Sequence, residues 1–151
     1  MRALIQRVHE ASVHSATQRG EETDLTGSIG QGLVAFVGVT HEDDEAQAVR
    51  LAEKIFNLRV FADDDGAMNR SCGEVGGGVL VVSQFTLYAD TRKGRRPSYL
   101  HAALPDHAEP LVSRVAQRLV ELGATVAEGR FQTHMDVSLV NDGPVTIMLE
   151  V

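Results

Sequence analysis

The sequence predicts an α/β fold: mixed, largely antiparallel β-sheet layers with two helices packed on one face. Three observations lead there. Two short, almost uninterrupted apolar runs, Gly32 to Val39 and Val79 to Val82, have the pattern of strands buried on both faces. Two longer segments, Asp43 to Val60 and Asp106 to Leu122, repeat apolar residues at helical spacing. The remaining apolar segments, near both ends of the chain, are strand-like. The order is therefore strands, helix, strand, helix, strands.

Residues 2 to 9 and 11 to 15 form the opening strands. Gln18 to Asp24 is polar and suits a hairpin tip or loop, and Leu25 to Gly30 resumes the sheet. Acidic residues open the first helix, where the helix dipole is positive. Ala48, Leu51, Ala52, Ile55 and Leu58 make its apolar stripe. Asp63-Asp64-Asp65-Gly66 signals a turn. It lacks the remaining ligands of a calcium-binding EF-hand loop, so no metal site is expected. Gly76-Gly77-Gly78 precedes a strand, whereas phosphate-cradling glycines follow a strand and open a helix. A flexible loop is the expectation there. The second helix carries Pro110 in its first turn and a stripe of Leu111, Val115, Leu119 and Leu122, with Gly123 as its stop. Thr125 to Ala127, Asp136 to Val140 and Val145 to Val151 are the closing strands.

A chain of 151 residues is expected to form one domain, 1–151, with a substantial core. No apolar run approaches the roughly 20 residues that cross a membrane. The basic and apolar start, Met1 to Val8, is too short for a signal peptide. Cys72 is the sole cysteine, which excludes an intrachain disulfide and fits a reducing cytoplasm. A net charge of −7 argues against a general polyanion binder. The basic residues Arg92, Lys93, Arg95 and Arg96 nevertheless gather in one loop, either as a solvated segment or as a local patch facing phosphates.

The usual nucleophiles lack their signatures. Cys72 sits in a polar stretch with no cysteine-hydrolase motif around it. Ser83 lacks a Gly-x-Ser-x-Gly elbow. The six histidines are scattered, and none has zinc-ligand spacing. No metal or other cofactor is called for. Two segments remain. Ser83-Gln84-Phe85-Thr86 lies where a buried strand runs out, a common place for ligands in such sheets. Its hydroxyls and amide either face a ligand or satisfy the local backbone. Gly143-Pro144 interrupts the last strand. Proline within a strand marks an edge, a bulge or a turn, and its preceding bond is a candidate for the cis form.

The combination is more specific than either part. Ser83 to Leu87, continued by Asp90-Thr91-Arg92-Lys93-Gly94-Arg95-Arg96-Pro97-Ser98 and followed about 50 residues later by Asn141-Asp142-Gly143-Pro144-Val145-Thr146, resembles the D-aminoacyl-tRNA deacylases. Arg2 to Val8 (with Gln6-Arg7-Val8), Gly27-Ser28-Ile29-Gly30 and Gly32-Leu33 also match the family's opening, so the resemblance covers essentially the whole chain. It departs from the family in a longer loop from Ser15 to Asp24. It also has Phe131-Gln132-Thr133-His134-Met135 where Phe-Gly-Ala-Asp-Met is more common.

The resemblance implies a cytoplasmic homodimer that hydrolyses the ester between a D-amino acid and the 3′ end of tRNA. It also implies removal of glycine mischarged on a non-cognate tRNA. Ser83, Gln84, Phe85 and Thr86 would line the catalytic pocket. Gly143 and Pro144 of one subunit, in the cis form, would enter the partner's pocket and exclude L-amino acids. Arg7, Asn141, Val145 and Thr146 would support that motif. Phe131 and Met135 would contact the terminal adenine, and Arg92, Lys93, Arg95 and Arg96 the acceptor-stem phosphates. Thr86 has no visible base to activate it. This favours attack assisted by the 2′-hydroxyl of the terminal adenosine, with backbone N–H groups near Phe85 and Thr86 holding the oxyanion. Two other readings stay open: a non-enzymatic nucleic-acid-binding protein on the same fold, and a small-molecule hydrolase working through Cys72 or a distant triad.

Overall fold

A computed structural model describes residues 1–151. The elements are β1 (Arg2–Ala16), β2 (Asp24–Ile29), β3 (Gly32–Gly38), α1 (Glu45–Asn57), β4 (Arg59–Ala62), β5 (Met68–Ser71), α2 (Cys72–Val75), β6 (Gly78–Ser83), a 3-10 turn (Phe85–Tyr88), α3 (Pro105–Glu121), β7 (Thr125–Glu128) and β8 (His134–Glu150). The main sheet runs β2-β1-β3-β6-β7, with β8 added along β1. It is mixed: β1 pairs antiparallel with β2, β3 and β8, while β3-β6 and β6-β7 are parallel.

The length of β1 organises the sheet. Its first half pairs with β3, its second half with β2, and its whole length with β8. A strand has two edges, so β8 takes one while β2 and β3 share the other. The sheet then curls until β2 meets β7. A Cβ placed on Gly27 would come within 2.8 Å of the Glu128 carbonyl. The result is a nearly closed sheet with helices outside it.

Both faces of the central strands are buried, as the uninterrupted apolar runs predict. Leu33, Ala35 and Val37 of β3 and Val79 and Val81 of β6 pack against Leu51 and Ile55 of α1 and Val115 and Leu119 of α3. Their alternating neighbours, Val34, Leu80 and Val82, turn inward against Val8, Val13 and Ile29. Burying each such side chain contributes about 1.5–3 kcal/mol. The two long helices thus cover one face of the sheet, and no helix is long and apolar enough to cross a membrane.

Several local expectations are corrected. Residues 2–16 form one strand rather than two. The first helix begins after Asp44, which caps it through a reciprocal pair with Gln47. Asp43 instead binds the buried Met1 ammonium at 2.5 Å and the Thr40 N–H at 2.7 Å. The helix ends at Asn57 because Arg59–Ala62 pairs with Met68–Ser71 in a separate hairpin. The Asp63 turn closes that hairpin: its carboxylate accepts from Asp65 N, Ala67 N and Asn69 Nδ2. A third helix, α2, is too short to show a periodic stripe. Pro110 lies in the sixth position of α3, beyond the first turn, because the helix starts at Pro105. The glycine run is not a loose loop. Gly76 ends α2 in the left-handed conformation, and a Cβ on Gly32 would fall 1.9 Å from the Gly78 carbonyl, so β3 and β6 need this bare backbone. The last two strands are one, β8, with Gly143-Pro144 inside it.

Cys72 is also relocated. It is fully buried on α2 rather than in a polar loop, and its Sγ donates to the Gly77 carbonyl at 3.4 Å. Burial pushes its thiol up to about 11. A protonated, enclosed thiol is a poor nucleophile. At pH 8 the folded protein should react only slowly with a disulfide reagent, and reaction should become stoichiometric on denaturation. Fast labelling of the folded chain would reopen the cysteine-hydrolase reading.

Candidate active site

The first wall of the site grows from the end of β6. Ser83 is its last residue and pairs with Val37 of β3. The Gln84 N–H donates to the Val37 carbonyl at 2.8 Å, and the chain then turns through Phe85–Tyr88 over the end of β3. Gly38 permits the crossing, because a Cβ there would meet Gln84 O and Leu87 Cβ at 3.1 Å.

The second wall comes from the far side of the sheet. Between β7 and β8 the chain doubles back, with Gln132 in the left-handed region (φ 56°) and Thr133 Oγ1 donating to the Arg130 carbonyl at 2.7 Å. Gly129 leaves room for Met135, whose Sδ would lie 2.6 Å from a Cβ at that position. Phe131 and Met135 thereby face Ser83, Gln84 and Phe85 across a cavity of about 840 Å³. Val37 of β3, Val39 just beyond it, and Pro105 and Ala108 of α3 complete it. Two groups of residues about 50 positions apart in sequence are brought to one pocket.

Thr86 is adjacent to the cavity but is not among the residues lining it. Its hydroxyl accepts from Gln84 Nε2. No histidine or carboxylate bonds to the hydroxyl of Ser83 or Thr86. The backbone N–H groups of Phe85 and Thr86 open the 3-10 turn, where donors have no partner inside a helix. The turn's own bonds begin later, from Leu87 N to Gln84 O and from Ala89 N to Thr86 O.

Gly143 and Pro144 lie elsewhere. Gln6 pairs with Thr146 and Val8 with Asn141, so Arg7 alone faces the four residues Asp142 to Val145. The extra residues bulge outward, and Gly143 and Pro144 are exposed. Their peptide bond is cis. Asn141 ties the feet of the bulge together: its Nδ2 donates to Arg7 O at 2.9 Å and to Val145 O at 3.1 Å. Gln6 Nε2 donates to Thr146 Oγ1 at 3.1 Å just beyond. The Arg7 guanidinium lies beneath. Its Nε is 2.9 Å from Asp142 Oδ2, an ion pair not aligned as a hydrogen bond, and its Nη1 donates to Val60 O. A Cβ on Gly143 would be 2.9 Å from both Arg7 Nη2 and Val145 Cγ2, and its φ of +126° already favours glycine.

The bulge contributes nothing to the cavity of its own chain. Ser83 pairs with Val37 and Val37 with Ala3, whereas the bulge stands opposite Arg7. Four residues of strand separate the two levels, about 13 Å at a strand's rise.

The basic loop is a closed excursion. Asp90 and Ser98 exchange backbone hydrogen bonds of 2.7 and 2.9 Å at its neck. Arg92 is held by Asp90 through a bidentate pair (2.9 and 2.7 Å), which keeps that carboxyl well below the usual carboxylate range. Lys93, Arg95 and Arg96 are exposed and make no ion pair. The four cations are thus unequal, a distinction that spacing alone did not reveal. Sequence reasoning also missed Tyr99, which packs edge-on against Phe85 with ring centroids 5.0 Å apart. Its position directly after Pro97-Ser98 was the available signal.

Residues 4–150 match the family described as D-Tyr-tRNA(Tyr) deacylase. A protein of Symbiobacterium thermophilum named D-aminoacyl-tRNA deacylase is 57% identical over 99% of this chain and 95% of its own. One of Thermomicrobium roseum with the same name is 58% identical, covering 99% and 94%. Among solved structures, one titled "c-Myc DNA Unwinding Element Binding Protein" superposes with a TM-score of 0.88 at 35% identity, over 100% of this chain and 99% of the other. Another, titled as a probable eukaryotic D-amino acid tRNA deacylase, has the same fold, with a TM-score of 0.78 at 14% identity over 99% and 98%. With the family matched along nearly its full length and relatives above half identity, the chain belongs to the D-Tyr-tRNA(Tyr) deacylase family.

Proposed function

We propose that this protein hydrolyses the ester joining a D-amino acid to the 3′ end of tRNA, releasing the free D-amino acid and tRNA. Glycine mischarged on a non-cognate tRNA is a second substrate. It works in the cytoplasm as a homodimer, without metal or other cofactor. One observation carries the reading of a shared site: in a single chain the bulge at Gly143-Pro144 stands apart from the cavity that Ser83, Gln84 and Phe85 line. A two-fold dimer lets each subunit supply what the other's pocket lacks.

In this reading the terminal adenosine lies between Phe131 and Met135, an aromatic face and a soft thioether suited to a base. The ester then reaches Ser83 to Thr86. Water attacks the carbonyl carbon, and the N–H groups of Phe85 and Thr86 hold the developing oxyanion. The 2′-hydroxyl of the adenosine assists the proton transfer, and the tRNA 3′-oxygen leaves with a proton. The carbonyls of the partner's Gly-Pro bulge occupy the space that an L side chain would need. Selection is by collision rather than by better fit, so glycine, which has no side chain, passes. Arg7, Asn141, Val145 and Thr146 support the bulge. Lys93, Arg95 and Arg96 meet backbone phosphates without reading sequence, and Arg92 shapes their loop through Asp90.

A second reading is a nucleic-acid-binding protein without turnover. The name of the structural neighbour at 35% identity favours it, and the unpaired cations suit it. It requires binding that is indifferent to Gly143 and Pro144.

Two measurements test the proposal. Thr86→Ala should lower turnover of D-aminoacyl-tRNA by about tenfold or less, since its hydroxyl has an amide partner and no base. A loss of several orders of magnitude with the fold intact, the size seen when a covalent nucleophile is removed, would contradict water attack. The shared site is tested by mixing two variants that are each nearly inactive, Gln84→Ala in the pocket and Gly143→Ala in the bulge. After subunit exchange, about one quarter of wild-type activity should return, because half the dimers are mixed and one of two sites in each is intact. No recovery from demonstrably mixed dimers would mean that each chain completes its own site.

A further inference from the structure

The rim of the cavity carries an aromatic pair whose outer ring, that of Tyr99, has no part in the proposed reaction. Phe85 is 55% exposed and Tyr99 40% exposed, and their rings meet edge to face at 65°. Phe85 lines the cavity, but Tyr99 does not, so Tyr99 stands just outside it. It follows directly on the neck of the basic loop, where Ser98 bonds to Asp90. On a chain of net charge −7, the exposed cations nearest in sequence, Lys93, Arg95 and Arg96, have no carboxylate partner.

The backbone beneath Tyr99 is pinned rather than loose. Thr40 Oγ1 donates to the His101 carbonyl at 2.6 Å, and a ring nitrogen of His41 bonds the Leu100 carbonyl at 2.9 Å. Ala103 N donates to Val39 O at 2.9 Å. An aromatic ring held ready on a fixed rail binds a flat partner without first losing its own freedom. Aromatic faces interleaved with uncompensated cations are the means by which proteins hold single-stranded nucleic acid: bases stack, and phosphates pair with the cations.

We propose that Tyr99, braced by Phe85, is a stacking platform for the unpaired nucleotides that precede the terminal adenosine, with Lys93, Arg95 and Arg96 taking their phosphates. This rests on the deacylase reading and extends it from the terminal nucleotide to the strand leading into the cavity. Tyr99 is a positioning residue, since it touches neither the ester nor the adenine. Single-stranded RNA fits better than a protein partner because the loop that leads into Tyr99 carries three exposed, unpaired cations on an otherwise acidic body.

The test compares Tyr99→Ala, Tyr99→Phe and wild type on two esters of one D-amino acid, carried by tRNA or by adenosine alone. In Tyr99→Ala the KM for the tRNA ester should rise about tenfold to a hundredfold with kcat unchanged. The adenosine ester should be unaffected, and Tyr99→Phe should behave as wild type. An equal loss on both esters would overturn the platform, assigning Tyr99 to bracing the cavity, and so would no change on either. A parallel binding measurement uses uncharged tRNA, intact or trimmed of its unpaired 3′ nucleotides. Wild type should bind the intact form more tightly, and Tyr99→Ala should lose that preference. If wild type hydrolyses neither ester yet the preference is lost in Tyr99→Ala, the deacylase reading falls and the platform stands. If the preference persists in Tyr99→Ala, or if Tyr99→Ala changes the oligomeric state, the platform falls whatever the turnover shows.

Discussion

The structure turns on a mismatch in one strand pair: Arg7 of β1 faces four residues of β8. Antiparallel ladders tolerate extra residues only as a bulge, and a bulge persists when something satisfies the backbone it orphans. Asn141 does this by donating to the carbonyls of Arg7 and Val145. With both feet tied, Gly143-Pro144 projects from an otherwise continuous 17-residue strand without ending it. The guanidinium of Arg7 fills the space below so closely that a side chain at position 143 would strike it. The feature follows from a short stretch of sequence and one residue on the neighbouring strand.

The cavity depends on a different constraint. β3 and β6 are buried on both faces, so they cannot carry polar side chains along their length. Polar groups enter where β6 ends, at Ser83 and Gln84, and the 3-10 turn directs them over the end of β3. The opposing wall needs a sharp reversal between β7 and β8, which Gln132 and Thr133 supply. Rigid strands thus fix the positions of the short irregular segments that line the cavity.

Strong periodic signals were legible in the sequence. The runs at Gly32 to Val39 and Val79 to Val82 mark the central strands, and the stripes from Ala48 to Leu58 and from Leu111 to Leu122 mark the helices, each running one residue past the helix end. The β4-β5 hairpin is not legible, because Arg59 and Val60 read as the end of the helix from Asp43 and the strand character of Arg59–Ala62 comes from pairing with Met68–Ser71. The sequence does not show the burial of Cys72, because its neighbours Arg70, Ser71 and Gly73 are polar or small, while burial is decided by the turn of α2. For the site, Ser83 to Thr86 and Gly143-Pro144 stand out as polar or proline-bearing interruptions of apolar strands, whereas Phe131 and Met135 are marked only by the family resemblance. Their arrangement does not stand out. That Ser83 and Phe131 share a cavity while Gly143 does not is a consequence of register, which no local pattern encodes.

The decisive measurement is deacylation of matched D-Tyr-tRNA and L-Tyr-tRNA by the purified protein, with and without a chelator. A chirality-selective, metal-independent hydrolase should remove the D ester rapidly, leave the L ester, and be unaffected by the chelator. Loss of both esters at similar rates would contradict the steric filter at Gly143-Pro144. Loss of neither, from folded protein that still binds tRNA, would contradict catalysis itself.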